Sequence, residues 1–464
     1  MFNPVQTIGA QTNGHAAKPR KKQSDDRSIE LVYGQIVGKN PNYATRAGAL
    51  YLWNKSHYEL VKHDDDNGEK AVLAWLANLY PNRATPTVAK ECFKTARMMA
   101  RPLPTLPEDR IVIPLKNAYL ELRQNGTISR TEPDRALGIT YVLNADLPGA
   151  GSTYTPASPP PNSLLLKYLA SSLPDPEVRD YLQELAGDTL IPGIRYQVAT
   201  LLKGRGRNGK SIYTRLLTAL HQKTAPMRLN RLDGFALTPL IGASLAIVDE
   251  VPKAGIDEQG FKTLVSGEEV TIDIKHRDPL RYRPQAKWVI STNNDQKVAD
   301  NSDGFWRRLV IIPFDHQIPE SQVIPCLDEK IIKAELVHFL DWCLIGLQRL
   351  LARGALPPLP LALQKSKQEA VEASNNVVAW LAENTLRATK EPVTPKDTIY
   401  DHYAGWCDRQ RLYSLSAGQF WKALRPHFPG VTQEAQMRVA GKRARCVPLV
   451  LDDTLPESDE CPFK

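Results

Sequence analysis

Cysteine is scarce in this chain. Six occur in 464 residues, at positions 92, 326, 343, 407, 446 and 461. No two stand in a C-x-x-C spacing, so the sequence offers no zinc-knuckle or dithiol redox motif. So few thiols in so long a chain fit a reducing compartment. Long apolar runs are lacking too. The richest, LVHFLDWCLIGLQRLL (336–351), is broken by Asp341, Gln348 and Arg349 at helical intervals. It reads as an amphipathic helix and not as a membrane span. The first residues, MFNPVQTIGAQTNGHAAKPRKKQ, have no apolar stretch of the kind a secretory leader needs, and a cytoplasmic location without membrane contact is the expectation. Nor is there an acidic excess. Lys and Arg number 59 against 51 Asp and Glu, a net charge of +8. That balance is compatible with a nucleic-acid partner and equally with a basic soluble enzyme. Internal repeats and long low-complexity tracts are absent from the sequence.

Hydrophobic residues make up 42% and charged residues 24%, the composition of a core-forming globular chain. A chain of this length predicts about three domains. Residues 1–28 are polar, contain KPRKK (18–22), and read as a disordered basic tail. Residues 29–155 read as an α+β domain. GEKAVLAWLANLY (68–80) and VAKECFKTARMMA (88–100) are helical in pattern, and RIVIPLKNAYLELRQNGTISR (110–130) reads as two strands around QNG. HDDDNGE (63–69) reads as a solvated acidic loop. The Gly/Pro/Ser stretch at 148–163 marks a boundary. Residues 156–355 begin with a helical pair and continue as apolar runs, ASLAIVDE (243–250), KWVISTN (287–293) and RRLVIIPF (307–314), alternating with helical segments. That alternation predicts a parallel α/β sheet. Residues 356–374 read as a linker, and 375–464 as a helix-rich C-terminal domain ending in the basic QMRVAGKRARC.

The sharpest motif is GRGRNGKS, comprising Gly204, Arg205, Gly206, Arg207, Asn208, Gly209, Lys210 and Ser211. It fits G-x-x-x-x-G-K-[ST] and stands between an apolar run and a helical one. In that setting the loop's backbone N–H groups and the helix N-terminus form an anion cradle. Lys210 is expected to reach the β- and γ-phosphates of ATP, and Ser211 to hold Mg²⁺. LAIVDE supplies the acidic site such a loop needs: Asp249 for the metal and Glu250 to polarise water. Asn293 ends the next apolar run, where an amide can contact γ-phosphate and water. Arg307 and Arg308 open the following one, as a trans-acting arginine would. By spacing alone they also suit a surface ion pair. Between the acidic and the Asn runs lies IDIKHRDPLRYRP (272–284), a basic turn flanked by strand-like sequence.

The order GRGRNGKS, LAIVDE, IDIKHRDPLRYRPQAKWVISTN and DGFWRRLVIIPF resembles the superfamily-3 helicases, a branch of the AAA+ ATPases. The flanking YLASSLPDPEVRDYLQELAGDTLI (168–191), LVHFLDWCLIGLQRLLARGAL (336–356) and TIYDHYAGWC with LSAGQFWKAL resemble phage, plasmid and poxvirus replicative primase-helicases. The resemblance covers about 160–450. It implies an α/β, AAA+-like P-loop core with a parallel sheet and a DNA-binding β-hairpin, followed by a winged-helix domain. It implies an ATP- and Mg²⁺-dependent replicative DNA helicase, a hexameric ring moving 3′ to 5′ on single-stranded and forked DNA. Lys210, Ser211, Asp249, Glu250 and Asn293 would act from one subunit and Arg308 from the next, with Arg307 its neighbour and rival. Lys275, His276 and Arg277 would grip DNA at the hairpin tip. A separate primase or polymerase and an origin-binding protein are the implied partners, in a bacterial host cytoplasm for a phage- or plasmid-encoded chain. Relatives that prime DNA carry a further domain upstream, and none is expected here. An ATP-switched initiator that binds an origin without unwinding is the alternative. A P-loop kinase or small-molecule ATPase is a further one.

Overall fold

The computed structural model describes residues 28–452, apart from 63–64, 108, 124–126, 150, 192, 252–255, 276–278, 294–302, 374–375, 411, 413 and 440. The basic tail, the QNG turn, His276 and Arg277 lie outside the described residues.

A five-stranded sheet forms the centre, and all its neighbours pair in parallel. Its order is Thr224–Pro226, Leu245–Val248 (the acidic strand), Lys287–Thr292 (the asparagine strand), Ala199–Lys203 (the glycine-loop strand) and Leu309–Pro313 (the arginine strand). Alternate residues of one strand enter opposite cores, as the two-residue period of a strand demands. Leu202, Leu245, Val289 and Ile312 face one side, with the helices Lys210–Leu220 and Leu327–Arg353. Leu201, Ala246, Ile290 and Ile311 face the other, with helix Glu258–Val265 and Ile272 of the hairpin. Coverage on both faces explains why these strands read as unbroken apolar runs.

Two features depart from the sequence reading. RIVIPLKNAYLEL folds as two strands, Ile111–Pro114 and Tyr119–Leu122, and Ile128–Thr131 is a third. The chain turns at Lys116–Asn117, where the Asn117 amide is spent on the backbone of Leu147. This antiparallel sheet shares a core with the helical lead-in, since Ile113, Leu120 and Ile128 cluster with Leu165, Leu169 and Leu182. The core therefore runs unbroken across residue 155. The segment read as a linker contains the helix Leu361–Ala373. Its Leu363, Ser366 and Ala370, spaced as one helical face, are buried among Lys and Gln that disguise the pattern in the sequence.

Residues 29–103 build a separate core. The helices Ile29–Lys39, Glu69–Leu79 and Pro86–Met99 pack on a four-stranded sheet. At the other end of the chain, the helices Asn376–Glu383, Lys396–Arg409 and Ala417–Leu424 enclose Trp380, Tyr403 and Phe420. Tyr403 stacks on Phe420 at 4.5 Å between ring centroids. A three-stranded sheet, ordered Thr394–Pro395, Lys442–Val447, Ala435–Val439, closes that unit.

Candidate active site

The glycine-loop strand ends at Lys203, and the helix begins at Lys210. Backbone geometry explains the glycines. Gly209 sits at φ +90°, and a Cβ there would approach Ser172 Oγ to 2.3 Å. At Gly204 a Cβ would lie 2.2 Å from the carbonyl oxygen of Phe314. Arg207 also adopts a positive φ of 62°. The loop is clamped from two sides. Tyr168 in helix Leu164–Ser172 donates to Gly209 O at 2.8 Å. Asn208 donates through Nδ2 to Phe314 O at 2.6 Å.

Lys210 is 5% exposed and folds back on its own loop, donating to Gly204 O and, at 3.1 Å, to Asn208 Oδ1. Burial lowers its pKa, against a smaller upward pull from Asp315. An ammonium held only by a neutral carbonyl and amide lacks an ionic partner within hydrogen-bond range among the described residues, and a phosphate would supply one. Arg205, Gly206, Arg207 and Ser211 are exposed around this cradle.

Strand order brings the remaining predicted residues to the same edge. Val248 pairs with Ile290, and Thr292 with Lys203. Asp249 and Glu250 therefore leave the acidic strand, and Asn293 the asparagine strand, at the carboxyl end where the loop begins. The Gly204 N–H donates to Thr292 O at 3.2 Å, which ties the asparagine strand to the loop. Asp249, Glu250 and Asn293 are all exposed. Among the described residues no group of three His, Cys, Asp or Glu is placed to hold a metal unaided. Ser211 stands in the first turn of the helix after the loop and Asp249 follows the acidic strand, and both are exposed.

Arg307 and Arg308 differ. Arg307 is exposed. Arg308 is half-buried and donates to Ser266 Oγ at 3.0 and 2.8 Å and to Gly304 O at 2.5 Å. Burial, reinforced by the charge of Arg307, lowers its pKa.

A cavity of about 510 Å³ opens beside the loop, lined by Leu164, Tyr168, Arg207, Gly209, Ile212 and Val323 among others. The motif segments that contain Tyr168, Ser172 and Phe314 give them no role at the loop, and Asp315 and Ser266 lie in no motif. They come from segments distant in the chain, and only packing brings them to the site.

The basic turn is an antiparallel hairpin, Val270–Ile272 with Leu280–Tyr282. Lys275 is exposed in its turn. Arg283 donates to Gly267 O at 2.9 Å, and Tyr282 Oη accepts from the Gly242 N–H at 2.7 Å, so the return strand is anchored. In the C-terminal sheet Arg438 lies directly opposite Arg443, and Gln436 opposite Arg445. Like charges opposite one another destabilise a strand pair.

Comparison with known proteins agrees with parts of this picture. Residues 202–308 match a family of unknown function, DUF5906, and residues 374–440 match the RFX DNA-binding domain. Over 159 residues the chain is 29% identical to a protein of Acanthamoeba polyphaga mimivirus named "Putative helicase L207/L206", covering 32% of this chain and 16% of that protein. Over 119 residues it is 30% identical to DNA-binding protein RFX7 of Xenopus laevis, covering 25% of this chain and 8% of that protein. The matched stretches thus span a small part of either relative. Among solved structures, an apo structure of the NrS-1 C-terminal region aligns over 87% of this chain and 94% of that chain, at TM-score 0.45 and 9% identity. The chain therefore carries weak helicase-like similarity in one part and similarity to a DNA-binding domain in another. No described helix is long and apolar enough to cross a membrane.

Proposed function

We propose that the chain is an ATP-dependent DNA helicase of the superfamily-3 type, working as a ring of identical subunits in replication. One observation carries the reading. The glycine loop, Asp249 with Glu250, and Asn293 all stand at the carboxyl edge of neighbouring parallel strands. Ligands of such sheets bind at that edge, where connections leave a central strand in opposite directions. The similarity to a helicase-named viral protein points the same way.

In this reading Gly204 to Ser211 cradle the phosphates, and Lys210 leaves its loop partners for the β- and γ-oxygens. Ser211 and Asp249 hold Mg²⁺, which neutralises charge on the phosphates. Glu250 orients and polarises the attacking water, and Asn293 contacts that water and the γ-phosphate. The cavity walled by Leu164, Ile212 and Val323 takes the base. Of the two arginines, the exposure of Arg307 favours it as the one that reaches a neighbouring subunit. Arg308, which the resemblance favours, has its donors engaged by Ser266 and Gly304. Lys275, with His276 and Arg277, grips phosphates rather than bases, so movement ignores sequence. Opening one base pair costs about 1.4 kcal/mol on average, within reach of one ATP per nucleotide.

A second reading has its own support. The C-terminal unit combines three helices and a strand hairpin, matches the RFX DNA-binding domain, and sets Arg438 and Arg443 face to face. Such self-repulsion is relieved by a polyanion, which suits a winged-helix module on duplex DNA and an ATP-switched initiator that does not unwind. Strand displacement on forked DNA of either polarity separates the readings. ATP-dependent release of a strand, lost in Lys210→Ala, supports the helicase. ATP-dependent binding without release supports the initiator.

A further inference from the structure

A cleft of about 760 Å³ separates the N-terminal unit from the hairpin. Helix Pro86–Met99 walls one side, contributing Lys90, Lys94 and Arg97. Lys62 lines it too, as do Ile274 in the hairpin turn and Leu280 of the return strand. The two units touch here, since Leu60 packs against the same core as Ile274 and Leu280.

The spacing of the cations is that of one helical face, at i, i+4 and i+7. The helix buries Ala89, Cys92, Phe93 and Ala96 on its other side, so no core requirement places charge here. Lys62, Lys90 and Lys94 are exposed. The countercharge is small: Glu91 stands 3.8 Å from Lys94, with both side chains more than half exposed, and such a pair is weak. Arg97 donates to Gly48 O at 2.6 Å, which fixes it at the rim. The field reaches further in. Lys223, bonded to the carbonyl of Ile241, a residue that also lines the cleft, has its pKa lowered by burial and then by Lys62, against an upward pull from Asp65, which accepts from the Lys62 N–H at 2.9 Å. A concave surface with apolar walls and cations of one sign concentrates field lines on an anion. Lys275 follows Ile274 directly and is exposed, which puts the charge of the hairpin turn next to a residue that lines the cleft.

We propose that this cleft is a second nucleic-acid contact, in which Lys62, Lys90 and Lys94 hold the phosphate backbone of the single DNA strand that Lys275 engages. The inference rests on the DNA-motor reading and adds to it a site outside the ATPase core. Lys90 and Lys94 are separated by about 6 Å along the helix axis, so that the two ammonium groups can reach successive phosphates of one strand. The contact is to backbone, so it carries no sequence preference.

The test uses the full chain and a labelled oligo-dT, with binding followed by fluorescence anisotropy across a salt series. On a single strand, each lysine–phosphate pairing contributes about 0.7 to the slope of log K against log salt. Lys90→Gln with Lys94→Gln is expected to weaken binding by about tenfold or more at low salt and to reduce the slope by about 1.4. ATP hydrolysis without DNA and the melting temperature should stay as in the unchanged chain. Lys39→Gln with Lys70→Gln removes the same charge elsewhere and should leave the slope unaltered. A double variant that keeps the original slope, or a control whose slope falls as much, overturns the cleft while leaving the motor reading intact. No oligonucleotide binding by the unchanged chain overturns both.

Discussion

The conformational demand on individual residues is clearest in the glycine loop. Gly209 holds a positive φ and lies against Ser172 and Tyr168, so Gly209→Ala meets strain and a clash together. A left-handed non-glycine residue costs about 1–3 kcal/mol. Loss of nucleotide binding with a lowered melting temperature is expected, by calorimetry with an ATP analogue. Lys210→Ala should reduce ATP turnover by about a hundredfold or more, the usual loss when one charge-stabilising donor is removed. A phosphate-release assay that finds turnover retained would refute the assignment of the site. The two arginines separate by environment. Arg308→Ala breaks bonds to Ser266 and Gly304 and should cost about 1–3 kcal/mol of stability, read by denaturant unfolding. Arg307→Ala should leave stability alone. Mixed with Glu250→Gln subunits, it should restore some turnover, because each variant supplies the half-site the other lacks. If Arg308→Ala alone restores it, the finger is Arg308.

At the scale of elements, the hairpin and the C-terminal sheet are where charge is spent without local gain. Lys275→Ala with His276→Ala should spare basal ATP hydrolysis and abolish its stimulation by single-stranded DNA. Unwinding that survives this pair of changes would end the hairpin's role. In the C-terminal sheet, Arg438→Gln should relieve the repulsion with Arg443 and raise stability slightly, by about 0.2–1 kcal/mol. The same change should weaken duplex binding. Much of this level is legible in the sequence. Strand, glycine loop and helix at 199–220 follow from an apolar run and a helical one around GRGRNGKS. The turn at Lys116–Asn117 is not legible there, because Asn117 acts through Leu147, thirty residues on in the chain. Helix Leu361–Ala373 is hidden because so few of its residues are buried.

The whole molecule adds a pH dependence through two buried imidazoles. Burial holds His221 down at about 3 and His57 at about 4, against an ordinary 6.5. His221 is bonded to Ser244 at 2.7 Å and Thr189 at 3.2 Å, and His57 to Ser56 at 2.8 Å with Glu59 at 3.6 Å. Both are neutral when folded, so the unfolded chain binds more protons below pH 6.5. Their stabilising contribution is complete above that value and is lost as pH falls toward the folded pKa values. The slope is about 1.4 kcal/mol per pH unit for each group. Unfolding midpoints should therefore drop between pH 7 and pH 5, and His221→Gln should flatten that drop. An unchanged slope in the variant would place the acid sensitivity elsewhere.

Local chemistry in the sequence determined the loop, the acidic strand, the asparagine strand and the basic turn. Each is a short run whose residue types and spacing suffice without distant contacts. Tertiary structure alone decided which of these stand side by side. Strand order is set by which apolar faces two cores can bury, and no local pattern encodes it. The same holds for Tyr168 and Phe314 clamping the loop, for Ser266 engaging Arg308, and for Lys62, Lys90 and Lys94 lining one cleft with Leu280 of the hairpin. Those pairings join segments tens to hundreds of residues apart, and only burial of shared surface brings them together.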